Sequence, residues 1–344
     1  MALLTFARHH DPKRVQMEVA SLEPSSPEMA SRFAQAAVPV HTLRGGRLID
    51  AVRSLSLLTK TLKPDVVVAN CFRSRMALKL TGIGTLSRPV FWIHGTHAVM
   101  ADVLRKFIYR VMCRHDILVF VSHAVGKVQC YRGHKGPATT IYLGVEDNPA
   151  PHRPSLIRQE LGIPQDSLVI GYTAEFTACK RHRVLIEALN LLRPSYSSLH
   201  LMLIGNGALL PRVRQLADQL HLAGRIHFLG VRPDARDLLG AMDVYAHVCN
   251  AEGFGLAAVE AMLAGIPVVA ANAGALPEFV QDQRTGLLFK ADDAADLASK
   301  LRVLLRNDKL RTTLARNARV FCLEHFSPEK FAGSFTRVLE AHIG

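Results

Sequence analysis

Short apolar runs alternate with segments of helical periodicity along the whole chain. The runs are rich in valine, isoleucine and leucine, and polar or turn-forming residues bound them on both sides. Strands that alternate with helices predict parallel sheets joined by crossover helices. In the first half the predicted strands are 15–20, 38–42, 66–69, 90–93, 117–121 and 139–142, and in the second half they are 169–173, 200–204, 226–229, 244–247 and 267–270.

A proline-rich segment separates the two halves. Residues 146–154 contain three prolines and have neither helical nor strand periodicity, which is typical of an interdomain linker. We therefore predict an α/β protein with two doubly wound domains, the first over 1–147 and the second over 148–326. A serine and a proline at 327 and 328 have the pattern of a helix cap with proline at its first position. They predict a separate final helix over 327–344.

Composition favours a large enzyme of the cytoplasm. With 344 residues, of which 49% are hydrophobic, the chain can bury two cores of ordinary size. The longest apolar run, after Leu256, is interrupted by Glu260, Gly265 and Pro267, so it predicts no membrane-spanning helix. The first ten residues lack the pattern of a signal peptide. Six scattered cysteines without a Cys-x-x-Cys pair predict reduced thiols.

Most of the positive charge lies in the first part of the chain. The formal net charge is +13, and the first 150 residues hold 20 Lys plus Arg against 10 Asp plus Glu. We find no pattern typical of nucleic-acid binding, so an anionic membrane surface is the better candidate partner. In the segment 101–114, Arg105, Lys106, Arg110 and Arg114 share one helical arc and apolar residues occupy another. This pattern fits an interfacial helix, and it equally fits an ordinary helix packed on a sheet.

Two glutamates, Glu252 and Glu260, lie eight positions apart around a turn that contains two glycines. The first follows a predicted strand, and the second lies inside a helix predicted over 256–263. Gly253 and Gly255 allow a tight turn whose N–H groups point outward at the helix start, where the helix dipole favours an anion such as a diphosphate. The carboxylate of Glu260 can accept hydrogen bonds from ribose hydroxyls. The pattern predicts a nucleotide diphosphate site, with two solvated glutamates as the alternative.

The surroundings of the two glutamates resemble the retaining family 4 glycosyltransferases of the GT-B fold. Ala-Met follows Glu260 directly, Gly-Ile-Pro-Val-Val-Ala fills 265–270, and the segments 272–278 and 286–289 lie where that family has its own counterparts. The resemblance implies two Rossmann-like domains that face each other across a cleft, with the final helix crossing back to the first domain. It implies that Glu252 faces the transferred sugar and that Glu260 holds the ribose. The diphosphate would be held by the backbone amides of Gly253, Phe254, Gly255 and Leu256.

The resemblance assigns roles to four further residues. Lys180 stands at the lysine of a Gly-Arg-Leu, three-residue, Lys-Gly pattern and would neutralise the departing diphosphate. His94, after the strand 90–93, would contact the sugar or position the acceptor. Gly205 belongs to an Ile-Gly-x-Gly loop beside the nucleotide, and Val231 to a segment that lies along the base. The alternatives are a solvated cation for Lys180 and a histidine satisfied by local backbone for His94.

The chain also departs from that family pattern. Glu175 stands where the family has arginine, and Arg181 where it has glycine. Either Arg181 or Arg183 supplies the missing positive charge, or Glu175 turns toward the acceptor. Residues 1–10 read as the end of a first helix, so the usual opening strand and Gly-Gly loop are absent. Either the chain as given starts downstream of its true beginning, or the first domain is an incomplete, non-catalytic variant.

The implied function is retaining transfer of a sugar from a nucleotide diphosphate sugar to a glycan or lipid-linked glycan, as in polysaccharide or lipopolysaccharide biosynthesis. No Asp-x-Asp triplet occurs, so we predict no metal, and no cofactor is implied beyond the donor substrate. The alternative is a nucleotide-sugar binding or regulatory protein with a degenerate first domain. We expect a cytoplasmic location, with the anionic cytoplasmic face of the inner membrane as the alternative. The residues do not specify the donor sugar, the base or the acceptor.

Overall fold

A computed structural model describes residues 2–22, 26–43, 48–81, 89–94, 114–127, 133–147 and 154–342. The chain divides into two compact units, of which unit 1 comprises Met1–Glu146 with Phe326–Gly344 and unit 2 comprises Asp147–His325. The basic helix predicted over 101–114 lies outside the described residues up to position 113, as does most of the predicted linker.

The strands described in unit 1 form two parallel sheets. One has two strands, and the other has four strands that lie side by side in chain order. The strands are β1 (Val19–Ser21), β2 (Val40–Thr42), β3 (Val68–Ala69), β4 (Val90–Ile93), β5 (Ile117–Phe120) and β6 (Ala138–Thr140). The helices among the described residues of this unit are α1 (Ala2–His9), α2 (Pro27–Gln35), α3 (Leu48–Leu62), α4 (Phe72–Leu80), α5 (His123–Gly126) and, at the end of the chain, α12 (Pro328–Glu340).

Aromatic packing attaches the final helix to unit 1. Trp92 on β4 is fully buried, and its ring centroid lies 5.5 Å from that of Phe331 and 4.7 Å from that of Phe335. Phe6 on α1 packs against the same two rings. Ser327 caps α12 by accepting the backbone N–H of Lys330, with proline at the start of the helix. Burial of such rings is worth about 1.5–3 kcal/mol each, and this packing fixes α1, β4 and α12 together.

Unit 2 is built on one six-stranded parallel sheet in the order β12-β11-β10-β7-β8-β9. Its strands are β7 (Leu168–Thr173), β8 (Leu199–Ile204), β9 (Ile226–Gly230), β10 (Val244–His247), β11 (Val268–Ala271) and β12 (Leu287–Phe289). Its helices are α6 (Pro154–Glu160), α7 (His182–Leu192), α8 (Leu210–Gln219), α9 (Leu256–Leu263), α10 (Ala294–Leu305) and α11 (Asp308–His325). The strand order reverses between β7 and β10, which makes that point the expected ligand crevice of a doubly wound sheet.

The predicted α/β class with parallel sheets is confirmed, and the predicted strands of the second half agree with β7 to β11 to within one residue at each end. In the first half the predicted strand 15–20 begins too early, because the ladder between β1 and β2 starts only at the pair Val19 and Val40. The three-residue strand β12 was not predicted as a strand. Its pairing partner is β11, and so short a run has no periodicity of its own.

Two further expectations concern membranes and thiols. Among the residues that the structure describes, no helix is both long and apolar enough to cross a membrane. The four cysteines in the described ranges, Cys71, Cys179, Cys249 and Cys322, are free thiols.

Candidate functional site

The site begins where β7 and β10 end, at the reversal of the strand order in unit 2. These two strands pair in parallel through Val244 with Ile170 and Tyr245 with Gly171, so their carboxyl ends lie at the same edge of the sheet. The chain after β7 leads to Lys180, and the chain after β10 leads to Glu252. Two loops that are distant in sequence thus deliver a cation and a carboxylate to one place.

Glu252 is held by three donors. Lys180 Nζ donates to Glu252 Oε2 at 2.6 Å, and His247 Nε2 donates to the same oxygen at 3.0 Å. The other oxygen, Oε1, accepts the backbone N–H of Gly253 at 3.2 Å. The side chains of Glu252 and Lys180 are only 14% and 24% exposed, so this network is largely shielded from solvent.

Both members of the Lys180 and Glu252 pair are charged at neutral pH. Burial by itself raises the pKa of Glu252, but the hydrogen bond and charge of His247 and the charge of Lys180 outweigh it, and the pKa lies well below its ordinary value of 4.5. For Lys180, burial lowers the pKa, whereas the charge of Glu252 raises it, and the net pKa lies above 10.5. The pair is therefore an ionised, preorganised arrangement.

The turn after Glu252 leads directly into α9. Gly255 has φ +96° and precedes the first helical residue, Leu256, and no side chain caps this helix start. Gly274 passes so close to the backbone of Glu252 that a side chain at 274 has no room. Phe254 is buried against Phe279, with 5.9 Å between the ring centroids. The turn is thus fixed by packing, and the amide end of α9 is available to an anion.

Glu260, on α9, has a partner of its own. Arg236 donates to Glu260 Oε1 through Nε at 2.9 Å and through Nη2 at 2.6 Å. In the described part of the chain no hydrogen bond reaches Oε2 of Glu260. The two side chains are 24% and 30% exposed, more open than the pair at Glu252. The unused oxygen is suited to accept a hydroxyl group.

Gly205 and Val231 lie at the ends of the next two strands. Gly205 has φ +137°, and its N–H donates to the carbonyl of Gly230 at 2.7 Å. A Cβ at this position has no room beside the carbonyl of Ala174, so close approach of the ends of β7, β8 and β9 requires glycine here. Val231 is 77% exposed directly after β9. A single exposed apolar side chain is ordinary, so the predicted place of Val231 along the base stays a prediction.

Neither Arg181 nor Arg183 is a free cation in the structure. Arg181 has φ +49° and Nε 2.7 Å from Asp292 Oδ1, and Asp292 also accepts Asn250 Nδ2 at 3.0 Å. Arg183 donates to Glu187 at 2.7 Å on the exposed face of α7. Both arginines that were candidates to replace the family's arginine therefore have an acidic partner. The third alternative, Glu175, is exposed.

His94 lies in unit 1, directly after β4. Its ring centroid is 4.5 Å from that of Trp92, and burial lowers its pKa to about 4. The imidazole is therefore neutral at pH 7. Its predicted role toward a sugar or an acceptor stays a prediction.

The structure brings together Lys180, Glu252, the turn 253–256 and Glu260 within unit 2, and it adds two residues that the sequence analysis did not assign. His247 could have been noticed because it ends a strand five positions before Glu252, at the edge where such sheets bind ligands. Arg236 carries no comparable sequence signal. In the described ranges no group of three or more His, Cys, Asp or Glu side chains could hold a metal ion.

Comparison with known proteins gives one family match. The model of the family described as "Glycosyl transferases group 1" matches residues 155–321. N-acetyl-alpha-D-glucosaminyl L-malate synthase of Bacillus anthracis is 24% identical over 261 residues, which are 74% of this chain and 68% of that protein. D-inositol 3-phosphate glycosyltransferase of Stackebrandtia nassauensis is 34% identical over 225 residues, 61% of this chain and 49% of that protein. The chain thus spans about half to two thirds of these relatives.

Solved structures resemble the whole chain. HepE of Anabaena in complex with UDP-glucose has a TM-score of 0.86 and 24% sequence identity, with 99% of this chain and 95% of that chain covered. Sucrose-phosphate synthase of Thermosynechococcus elongatus has a TM-score of 0.80 and 20% identity, with 94% of this chain and 88% of that chain covered. These likenesses confirm the predicted GT-B fold. The family match lies within unit 2 and spans nearly all of it, so unit 2 is similar to the glycosyl transferases group 1 over nearly its whole length.

Proposed function

We propose that this chain is a retaining glycosyltransferase of family 4, which moves a sugar from a nucleotide diphosphate sugar to a glycan or lipid-linked glycan acceptor. The observation that carries the proposal is the ionised pair of Lys180 and Glu252 beside the uncapped start of α9. The family match of unit 2 and the name of a relative at 34% identity, a D-inositol 3-phosphate glycosyltransferase, support the same reaction class.

The described residues suggest where each part of the donor binds. The diphosphate lies at the turn 253–256, where the N-terminal end of α9 and the ammonium of Lys180 offer positive charge. The ribose hydroxyls donate to the free oxygen of Glu260. The sugar lies beside Glu252, whose Oε1 faces the turn. This order follows the spacing of the two glutamates, since about one helical turn separates the start of α9 from Glu260.

Transfer with retention requires the bonds to change on one face of the sugar. The bond between the anomeric carbon and the diphosphate oxygen breaks, and the electron pair stays on the diphosphate. The acceptor oxygen bonds to the anomeric carbon from the same side, and its proton moves to the departing phosphate oxygen. Lys180 stabilises the charge on that phosphate, and fixed charges of this kind usually supply the largest catalytic contribution. Glu252 orients the sugar.

A panel of UDP- and GDP-sugars tests the proposal. HepE of Anabaena was solved with UDP-glucose, which makes UDP-sugars the first choice. We expect one donor to be turned over, with release of nucleoside diphosphate and with the anomeric configuration retained in the product. The activity should persist in EDTA, because a lysine and a helix end bear the charge that a metal bears elsewhere. Failure of every donor and acceptor, or a strict need for Mg²⁺ or Mn²⁺, would contradict the respective part of the proposal.

A second candidate function is nucleotide-sugar binding or regulation without transfer. It is favoured by unit 1, where the described strands form two separate sheets, one of two strands and one of four, in place of one continuous sheet. Tight binding of a nucleotide diphosphate without turnover of any donor would favour this candidate.

An anionic membrane surface stays a proposed partner on the basis of the basic first 150 residues. Flotation of the protein with liposomes of anionic and of neutral lipid tests it. Equal recovery with both would remove that partner.

A further inference from the structure

His247 is a deeply buried histidine in direct contact with Glu252. It is 1% exposed and ends β10, which lies between β7 and β11 within the sheet. The ring of Tyr172 meets it edge-on, with 5.5 Å between the centroids and an angle of 81°. A side chain on a strand with neighbours on both sides has little freedom to move. The imidazole is thus a rigid group at the base of the turn that holds Glu252.

Among the described residues, the imidazole of His247 makes one hydrogen bond, to Glu252. Because Glu252 is ionised and can only accept, His247 is the donor through Nε2. Its other ring nitrogen, Nδ1, is buried and has no hydrogen-bond partner in the part of the chain that the structure describes. A histidine kept only for packing leaves two buried nitrogens whose desolvation is unfavourable. Here the one hydrogen bond that compensates is directed at Glu252.

Lys180 donates to the same oxygen of Glu252, but its side chain is less constrained than that of His247. It stands at the end of the short 3₁₀ helix Ala178–Lys180 and reaches Glu252 with a long, flexible side chain that is 24% exposed. When a diphosphate engages the ammonium, as the proposed function requires, Lys180 can no longer serve Glu252 fully. A carboxylate held only by Lys180 would then be free to turn.

We propose that His247 is a positioning residue, which keeps Oε2 of Glu252 directed toward the sheet and Oε1 toward the turn 253–256 whether or not Lys180 is engaged by phosphate. The inference rests on the proposed function and deepens it. His247 touches neither sugar nor phosphate and acts through Glu252. The two side chains that donate to Glu252 then have different roles. His247 holds the carboxylate, and Lys180 is released to the leaving group.

Two substitutions at this position separate donation from packing. His247→Leu keeps a buried side chain of similar size and removes the donor, whereas His247→Gln places an N–H group near the original Nε2. We expect the leucine variant to lower kcat about 10- to 100-fold with KM for the donor changed less than about threefold, since an interaction that matters in the transition state is lost. The glutamine variant should recover most of kcat. Equal losses in both variants would overturn the proposal.

A matched control is offered by His200 on β8. Like His247 it has a hydrogen-bonded partner, the ring of His227 at 3.1 Å, but it lies near the start of its strand, at the opposite edge of the sheet. We expect His200→Leu to leave kcat within about twofold. A comparable loss of kcat in this control would show that any lost histidine of this sheet lowers activity, and would overturn the specific role of His247.

The dependence on Glu252 is tested in a second background. If His247 acts through Glu252 alone, His247→Leu changes kcat by less than about twofold in a chain that already carries Glu252→Ala. A packing role would lower kcat by the same factor in both backgrounds, and that result would overturn the proposal.

A measurement of unfolding separates this inference from the proposed function. The coupling between His247→Leu and Glu252→Ala is the difference between the effect of the double substitution on the free energy of unfolding and the sum of the two single effects. It is measured without donor and without turnover. It is measured once in the unaltered chain and once with Lys180→Ala, which imitates a lysine withdrawn by phosphate. We expect coupling in both. If no donor is turned over and this coupling is present, the proposed function fails and the role of His247 stands. Additive effects in the Lys180→Ala chain would overturn that role.

Discussion

Glu252 and Glu260 in unit 2 meet positive charge in different ways. Glu252 lies on a loop, is 14% exposed, and receives Lys180 and His247 on one oxygen and a backbone N–H on the other. Glu260 lies on α9 and is 24% exposed, and among the described residues it receives only Arg236, on one oxygen. The first carboxylate is fixed on both sides, and the second keeps one oxygen open. A fixed group suits orientation of a reacting sugar, and an open one suits reversible binding.

The difference extends to the backbone. The carbonyl of Glu252 accepts the N–H of Ala275 at 3.0 Å, and Gly274 packs directly against it, so two loops clamp this residue. Glu260 is positioned by the regular geometry of α9 alone. We therefore expect substitutions at Glu252 to affect turnover and substitutions at Glu260 to affect affinity.

Glu252→Gln should produce the largest effect. The amide keeps the shape but loses the charge that faces Lys180 and His247, so both donors lose their ionised acceptor and the orientation of the group changes. We expect kcat to fall about 100- to 1,000-fold, as for loss of one preorganised electrostatic group, with the affinity for nucleotide within about threefold. Turnover at saturating donor measures it. An unchanged kcat would contradict the expectation that Glu252 acts in turnover and Glu260 in affinity.

Lys180→Ala should come next. Its ammonium is the described cation closest to Glu252 and, in the proposed function, the group that stabilises the leaving diphosphate. We expect kcat/KM for the donor to fall about 100-fold. Arg183→Ala is the matched control, because Arg183 pairs with Glu187 on the exposed face of α7. An equal loss in both variants would indicate a general effect of positive charge.

Glu260→Gln should be milder and of a different kind. Loss of a charged acceptor for ribose hydroxyls costs about 1.5–3 kcal/mol in binding, which raises KM for the donor about 10- to 100-fold while kcat changes little. The variant also leaves Arg236 with a weaker partner, so Arg236→Ala is the companion measurement. A fall in kcat without a change in KM would assign Glu260 to the reaction step and would contradict the comparison.

The pH dependence of stability gives the smallest effect. The pKa of Glu252 is below 4.5 in the folded chain, so its contribution to stability is present above pH 4.5 and is lost as pH falls toward the folded value. We expect the difference in Tm between the unaltered chain and Glu252→Gln to shrink as pH falls from about 5 to about 3. A constant difference across this range would mean that the charge of Glu252 is not coupled to folding.

Much of this account was accessible from the sequence, for physical reasons that differ by position. The helix predicted over 256–263 was right at both ends, because glycines mark its start and its alanines and leucines favour a helix. The strand β10 was right because all four of its residues are buried and the first three, Val244, Tyr245 and Ala246, favour a strand or pack as apolar groups.

Other features depend on distant contacts. Arg236 reaches Glu260 across 24 positions from an irregular segment, and the contact of Lys180 with Glu252 spans 72. A local sequence pattern does not indicate contacts between residues so far apart in the chain. Glu175 and Arg181 depart from the family pattern, and only the structure gives Arg181 its partner, Asp292. The sequence predicted which groups have the right chemistry, and the sheet topology decided which of them meet.

Calorimetric titration of UDP and GDP tests the division between the two glutamates most directly. It compares the unaltered chain, Glu260→Gln and Glu252→Gln, and it is independent of the acceptor. We predict that one nucleotide binds the unaltered chain, that Kd rises about tenfold or more in Glu260→Gln, and that Kd stays within about threefold in Glu252→Gln. Absence of binding by both nucleotides, or the same Kd in all three proteins, would contradict the nucleotide diphosphate site at these glutamates.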